Sequence, residues 1–262
     1  MHKVLKKIID YKKLEVEHIA RQEGRRDMQK RAADAPPCRD FWNAISQYDF
    51  NVIAELKHKS PSAGILVENY QPEEIAKGYQ DAGAAALSVL TDEHFFGGKR
   101  EHLNKVKESV ELPLLRKDFV LDEFQIFEAK SYGADAILLI VNVLDSFQIA
   151  DYQALANELG LFSLVETHNP EDWQAVSNLK LDVVGVNNRN LDTLVTDVQT
   201  VFKMREVVDG AVQIIAESGL RNDDNLKKLK EIGIVRYLIG EAFLETRDPG
   251  QALDELLKRA RD

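Results

Sequence analysis

The sequence predicts an α/β fold: one closed (β/α)8 barrel of the TIM type over residues 1–262, with residues 1–48 as an additional N-terminal helical segment. Three observations predict it. From residue 51 onward, short apolar strand-like runs alternate with longer amphipathic segments, about eight times in roughly 210 residues. Several runs, such as Ala-Ile-Leu-Leu-Ile-Val at 136–141, are apolar without alternation, as parallel strands buried on both faces require. No linker-like shift in composition divides the chain. An open doubly wound sheet is the rival, and it loses ground because no Gly-rich dinucleotide turn follows the first strand.

The elements follow in order. Residues 3–20 carry Leu5, Ile8, Ile9, Val16 and Ile19 at helical spacing among charges, which predicts an amphipathic helix that needs a surface to cover. The run from Arg25-Arg26 to Arg31 reads as its solvated end or a loop. Pro36-Pro37 enforces a break, and Phe41, Trp42 and Ile45 suggest a short second helix. Strands are expected at 51–56, 84–90, 113–116, 135–141, 161–166, 181–187, 211–217 and 235–240. Helices are expected near 72–82, 100–110, 122–132, 145–159, 169–178, 195–208, 221–232 and 249–260. Asp145 and Asn169-Pro170 resemble helix starts, whereas Gly133, Gly160 and Gly233 fall where a left-handed cap ends a helix.

Composition excludes several classes of function. A formal net charge of -10 and a pI near 5.2 argue against nucleic acid or an anionic membrane as partner. No apolar run reaches transmembrane length, and the Lys- and Glu-rich N-terminus lacks the apolar core of a secretion signal. The single Cys38 cannot form an internal disulfide, and the expected location is the cytoplasm.

The chemistry concentrates where strands end, because active sites of such barrels gather at the C-terminal rim. In Ile53-Ala54-Glu55-Leu56-Lys57, side-chain alternation sends Glu55 and Lys57 the same way, and Ser60-Pro61-Ser62 stops the strand soon after. Lys117 ends the third strand, Glu166 the fifth, Asn187 the sixth and Glu217 the seventh. Any one of these could be a structural ion pair, but two lysines and three glutamates on one rim suit general acid-base chemistry. The last two strands end in Glu217-Ser218-Gly219 and Ile239-Gly240-Glu241, the position of phosphate sites in this fold, although both glycines also fit ordinary turns. Glu241 could donate its amide there only with its carboxylate turned away.

Other features carry less. His2, His18, His58, His94, His102 and His168 show no metal-ligand spacing and are expected at the surface, so no metal is inferred. Phe95-Phe96 before Gly97-Gly98 reads as a loop with an aromatic wall or as a core cap. Trp42 and Trp173 read as packing residues, and Walker loop, serine elbow and Cys/His pair are absent from the sequence.

Seven ordered blocks resemble the indole-3-glycerol phosphate synthase family: IAELKHKSPS at 53–62, LTDEHFFGG at 90–98, LLRKDF at 114–119, LVETHN at 164–169, GVNNRNL at 185–191, AESGL at 216–220 and LIGEAF at 238–243. The N-terminal KKIIDYKKLEV is similar to that family's extra helix, which covers the barrel and contributes to the substrate pocket. The resemblance implies conversion of 1-(2-carboxyphenylamino)-1-deoxyribulose 5-phosphate into indole-3-glycerol phosphate, with loss of carbon dioxide and water and with no cofactor or metal. By the same resemblance Lys117 is the general acid for ring closure. Lys57 holds the substrate carboxylate and attracts the phosphate, and the division of roles between the two lysines stays open. Glu166 serves the dehydration, Glu55 orients the lysines, and Glu217 and Asn187 complete the polar wall. Ser60 and Arg189 contact substrate; Phe96, Phe119, Leu138 and Leu191 line the anthranilate pocket; Ser218, Gly219, Gly240 and the Glu241 backbone take the phosphate. Ala63, His58 and Lys99 depart from the family pattern. The partner implied is a small phosphorylated substrate, and association with another pathway enzyme is left open. The rivals are a phosphoribosylanthranilate isomerase-like barrel, a Schiff-base aldolase using Lys57 or Lys117, and a catalytically silent binding protein.

Overall fold

The computed structural model describes residues 3–261. Eight parallel strands close into a barrel: β1 (Asn51–Leu56), β2 (Ala86–Leu90), β3 (Leu114–Lys117), β4 (Ala136–Ile140), β5 (Phe162–Thr167), β6 (Val183–Asn187), β7 (Gln213–Glu217) and β8 (Arg236–Ile239). Each strand pairs with its sequence neighbours, and β8 returns to β1 with Asn51 opposite Arg236 and Ala54 opposite Ile239. The closed ring, rather than an open sheet, is therefore the arrangement adopted.

The unbroken apolar runs arise because each strand faces two cores. Val52, Ala54 and Leu56 pack outward under the helices with Val89, Ile137, Val165, Val184 and Ala216. Ile53, Leu115, Leu138, Leu164, Ile215 and Leu238 point into the barrel. Helix caps follow the local signals. Asp145 caps the helix Ser146–Glu158 reciprocally with Gln148, Asn169 caps Pro170–Val176, and Gly133, Gly160 and Gly233 have φ of 89°, 74° and 81°. Trp173 is buried in the outer core, while the Trp42 ring lies 4.9 Å from the Arg236 guanidinium. Among the described residues, no helix is long and apolar enough to cross a membrane.

Two local expectations are corrected. The Arg25–Arg31 run is solvated, but it is neither a loop nor the end of the first helix: it belongs to α2 (Arg25–Asp34), which follows α1 (Lys3–Glu23). Met28 and Ala32, one helical turn apart, are buried, while Arg25, Arg26 and Arg31 stay on the exposed face, where Arg25 donates to both Asp122 oxygens at 2.6 and 2.9 Å. The helix expected from 195 begins at Gln199, because Thr196 bridges back to Arg189. The loop after β1 holds a small hairpin of Lys59–Ser60 with Gly64–Ile65. The short helix near Trp42 spans Phe41–Ala44, capped by Asp40.

The extension is fastened by one buried cation. Lys12 on α1 is ion-paired with Asp92 at 2.9 Å, Asp118 at 3.1 Å and Glu15 at 3.0 Å. Burial opposes ionisation of Asp118, yet Lys12 and then Arg116 outweigh it and bring its pKa from 3.8 down to about 2. Because the folded value is depressed, the stabilisation is complete above the ordinary carboxylate pKa and is lost as pH falls towards about 2. Replacing Lys12 by Met leaves the buried Asp92 without its cation and Asp118 with Arg116 alone, and is expected to cost about 3–5 kcal/mol. Urea melts at neutral pH measure that loss, and a change below about 1 kcal/mol would show that the cation is not what fastens the helix.

Candidate active site

The polar rim is a continuation of the barrel's inner layering. Ile53, Leu115, Leu164 and Ile215, from the odd strands, belong to one interior apolar cluster. Two residues further along each strand, on the same inward face, stand Glu55, Lys117, Glu166 and Glu217. An apolar floor thus underlies a layer made only of ionisable groups. Three of those four are glutamates, so cations must be supplied at close range.

Lys117 supplies one. Its ammonium donates to Glu166 Oε2 at 2.5 Å and to Glu217 Oε2 at 2.9 Å. Burial disfavours the Lys117 cation, but Glu166 and Glu217 overcome it and hold its pKa well above the usual lysine range. Burial likewise opposes ionisation of Glu166, yet Lys117 and then His168 keep that carboxyl far below the usual carboxylate range. Glu217 has only Lys117 to offset burial and the neighbouring Glu166 charge, and it is pushed up to about 8. Lys57 provides the second cation and donates to Glu55 Oε1. Asn187 Nδ2 lies 3.3 Å from Glu166 Oε1, and its Oδ1 accepts from the Arg189 amide at 3.0 Å.

Two adjoining spaces open above this layer. The first encloses about 860 Å³ of empty space and carries all of the expected ring-pocket residues, Phe96, Phe119, Leu138 and Leu191, facing Glu55, Lys57, Lys117, Glu166 and Glu217. Leu5 and Ile8 of α1 close it from above. The second, of about 740 Å³, is lined by Ser218, Gly219, Gly240 and Glu241, and shares Lys57 and Arg189 with the first. Ser218 and Gly219 are successive left-handed residues, with φ of 63° and 72°, so the chain turns back on itself there. Glu241 is drawn off by Arg189 at 3.0 Å and Arg221 at 2.7 Å. Arg189 also reaches Ser62 at 3.3 Å, joining the loop after β1 to the rim.

Ser60 is not on either wall. It is buried in the hairpin, where its hydroxyl accepts from the Ala63 amide at 3.1 Å, while Pro61 and Ser62 line the cleft. The expectation that the histidines lie at the surface fails for two of them. His102 is buried on its helix, and His168 is buried beside Glu166 with Nε2 3.2 Å from Oε1. His2 lies outside the described residues. Sequence reasoning also missed two steric requirements. A Cβ on Gly185 would stand 2.4 Å from Glu217 Oε1, and one on Gly240 would stand 2.6 Å from Glu55 Cβ. Glycine leaves the room in which both carboxylates sit.

The family model described as indole-3-glycerol phosphate synthase matches residues 5–256, from α1 into the last helix. The chain belongs to the indole-3-glycerol phosphate synthase family. A relative of that name from Desulfotalea psychrophila is 44% identical over 222 residues, covering 85% of each chain. One from Bacteroides thetaiotaomicron is 38% identical over 258 residues, covering 98% of this chain and 99% of its own. Among solved structures, 3-hexulose-6-phosphate synthase from Salmonella typhimurium superposes with a TM-score of 0.63 at 15% identity, over 80% of this chain and 99% of its own, and attests the barrel alone.

Indole-3-glycerol phosphate synthases are carboxy-lyases of tryptophan biosynthesis, and membership decides against the isomerase-like reading. Membership also decides against the Schiff-base aldolase, and at Lys117 the charge agrees. An amine can attack a carbonyl only when neutral, and Lys117 between two carboxylates is held as the cation. A proton donor, by contrast, is what an ammonium in that position can be.

Proposed function

We propose that this chain converts 1-(2-carboxyphenylamino)-1-deoxyribulose 5-phosphate into indole-3-glycerol phosphate at the rim of its barrel. The observation that carries this reading is the Lys117 ammonium gripped by Glu166 and Glu217 in a cleft that also holds the apolar wall of Phe96, Phe119, Leu138 and Leu191. A flat aromatic amine fits against Phe96, Phe119, Leu138 and Leu191, which brings its carboxylate-bearing ring carbon near the ribulose carbonyl. As that carbon attacks, Lys117 gives a proton to the carbonyl oxygen, which becomes a hydroxyl. Carbon dioxide then leaves the ring carbon, and its bonding electrons restore the aromatic ring. In the dehydration Glu166, held ionised, takes the proton released from the carbon beside the nitrogen and passes it to the departing hydroxyl, which leaves as water as the indole forms, while Lys117 regains its proton from solvent.

Lys57 holds the substrate carboxylate and is itself oriented by Glu55, its ion-pair partner. Lys57 also borders the Ser218-Gly219 and Gly240-Glu241 turns, where backbone amides bind the phosphate. Arg189 contacts the substrate, and Glu217 and Asn187 complete the polar wall. The partner is this small phosphorylated substrate. Cys38 is a free thiol, in keeping with the cytoplasm as the compartment proposed.

Incubation with the carboxyphenylamino-deoxyribulose phosphate is expected to produce indole fluorescence together with stoichiometric carbon dioxide. A folded sample that releases neither would overturn the reading.

A further inference from the structure

His168 is a titratable group beside the rim, in contact with Glu166, that the proposed chemistry leaves without a task. It follows β5 directly, and its ring is buried between two carboxylates: Nε2 stands 3.2 Å from Glu166 Oε1, and Nδ1 stands 3.6 Å from Asp172 Oδ2. Asp172 is fixed in turn, since it accepts from the His168 amide at 2.8 Å and donates its own amide to Asn169. The side-chain amide of Asn142, from the loop after β4, lies 3.3 Å from Nδ1, and with its oxygen turned to the ring it accepts from the imidazolium. The ring is thus braced from the helix Pro170–Val176 and aimed at Glu166. Nε2 meets Oε1 off the line of its N–H, so the attraction is one of charge rather than an in-line hydrogen bond.

The two carboxylates that grip Lys117 are consequently unequal. Glu166 has Lys117 at one oxygen and both Asn187 and His168 at the other. Glu217 has Lys117 at one oxygen, and its Oε1 is buried with no hydrogen-bond partner. Without His168 the pair would differ by little more than a long amide contact.

We infer that His168, as an imidazolium braced by Asp172, is a positioning residue that selects Glu166 rather than Glu217 as the ionised member of the pair flanking Lys117. The proton that the pair shares then rests on Glu217, whose unpartnered oxygen faces Gly185. The site consequently keeps one base and one acid on either side of its lysine. Charge balance agrees: burial lowers the His168 pKa, but Asp172 and Glu166 overcome it and bring it up to about 9, so the ring is charged at neutral pH. This inference deepens the proposed function and rests on Glu166 acting in the dehydration.

The test is His168→Gln, which keeps an amide donor and removes the charge. Loss of the cation raises the Glu166 pKa, so Glu166 protonates at higher pH. The shared proton then rests partly on Glu166, so kcat at neutral pH is expected to fall about tenfold to a hundredfold with KM little changed, and to recover as the pH rises past about 8, where the pair gives up that proton. A folded His168→Gln protein whose kcat falls uniformly at all pH, or whose profile is unmoved, would overturn the inference. A second measurement needs neither turnover nor that variant. In proton–nitrogen NMR of the full chain, the His168 ring is expected to titrate at lower pH in Glu166→Gln than in the wild type. An unchanged midpoint would show that the two groups are not coupled. Failure of the parent reading is distinct: the wild type would then form no indole, while the NMR titration would still report the pairing.

Discussion

Replacing Lys117 by alanine is expected to lower the single-turnover rate of ring closure by about 10²- to 10⁴-fold, the usual worth of a positioned general acid, with substrate binding largely retained. The asymmetry follows from where the ammonium sits. Lys117 is anchored to the protein by Glu166 and Glu217, on the floor of the cleft, while Phe96, Phe119 and Leu191 supply the apolar wall that holds the ring. Removing the ammonium leaves the two buried carboxyl groups facing each other with one proton between them. The variant therefore folds with an acid still present, but one displaced from the carbonyl. Rapid-quench measurement with enzyme in excess isolates the chemical step, and a near-wild-type rate would remove Lys117 from the role.

A substrate analogue without its phosphate is expected to bind about 10²- to 10⁴-fold more weakly, the equivalent of two charge-assisted hydrogen bonds. In a chain of net charge -10, a dianion can be held only where local donors outweigh the general repulsion. The space beside Ser218, Gly219 and Gly240 meets that need, with Lys57, Arg189 and Arg221 on its border. The carboxylate of Glu241 is already engaged by the two arginines. Calorimetry on the two ligands gives the comparison directly, and equal affinities would eliminate this space as the phosphate site.

How much of this was legible in the chain depends on the range of the interaction. The strand ends at Glu55, Lys117, Glu166, Asn187 and Glu217 could be read from apolar runs that stop at an ionisable or amide residue, since period-two alternation assigns a face without knowing the neighbours. The helix caps at Asp145 and Asn169 were equally local. The basic run at Arg25–Arg31 was misread because its partner Asp122 lies 97 residues away from Arg25. The loop after Asn187 was misread because Thr196 is spent on a bridge to Arg189 instead of a helical turn.

His168 is the clearest case of a residue whose meaning is wholly tertiary. A histidine after a strand carries no sequence pattern that distinguishes a solvated ring from one held between Glu166 and Asp172. Gly185 and Gly240 are similar, because the carboxylates they make room for belong to other strands, at Glu217 and Glu55.

The sequence by itself determined that eight βα units would form, which residues would face inward at their ends, and the family to which those residues point. Hydrophobic periodicity and local capping act within a few residues, and they suffice for that. Only the closed barrel decided which acid meets which base, because closure brings Lys117 of β3 against Glu166 of β5 and Glu217 of β7. Pairing across alternate strands at 2.5 and 2.9 Å, in a layer shut off from water below by an apolar floor, separates the proton affinities of three otherwise ordinary side chains.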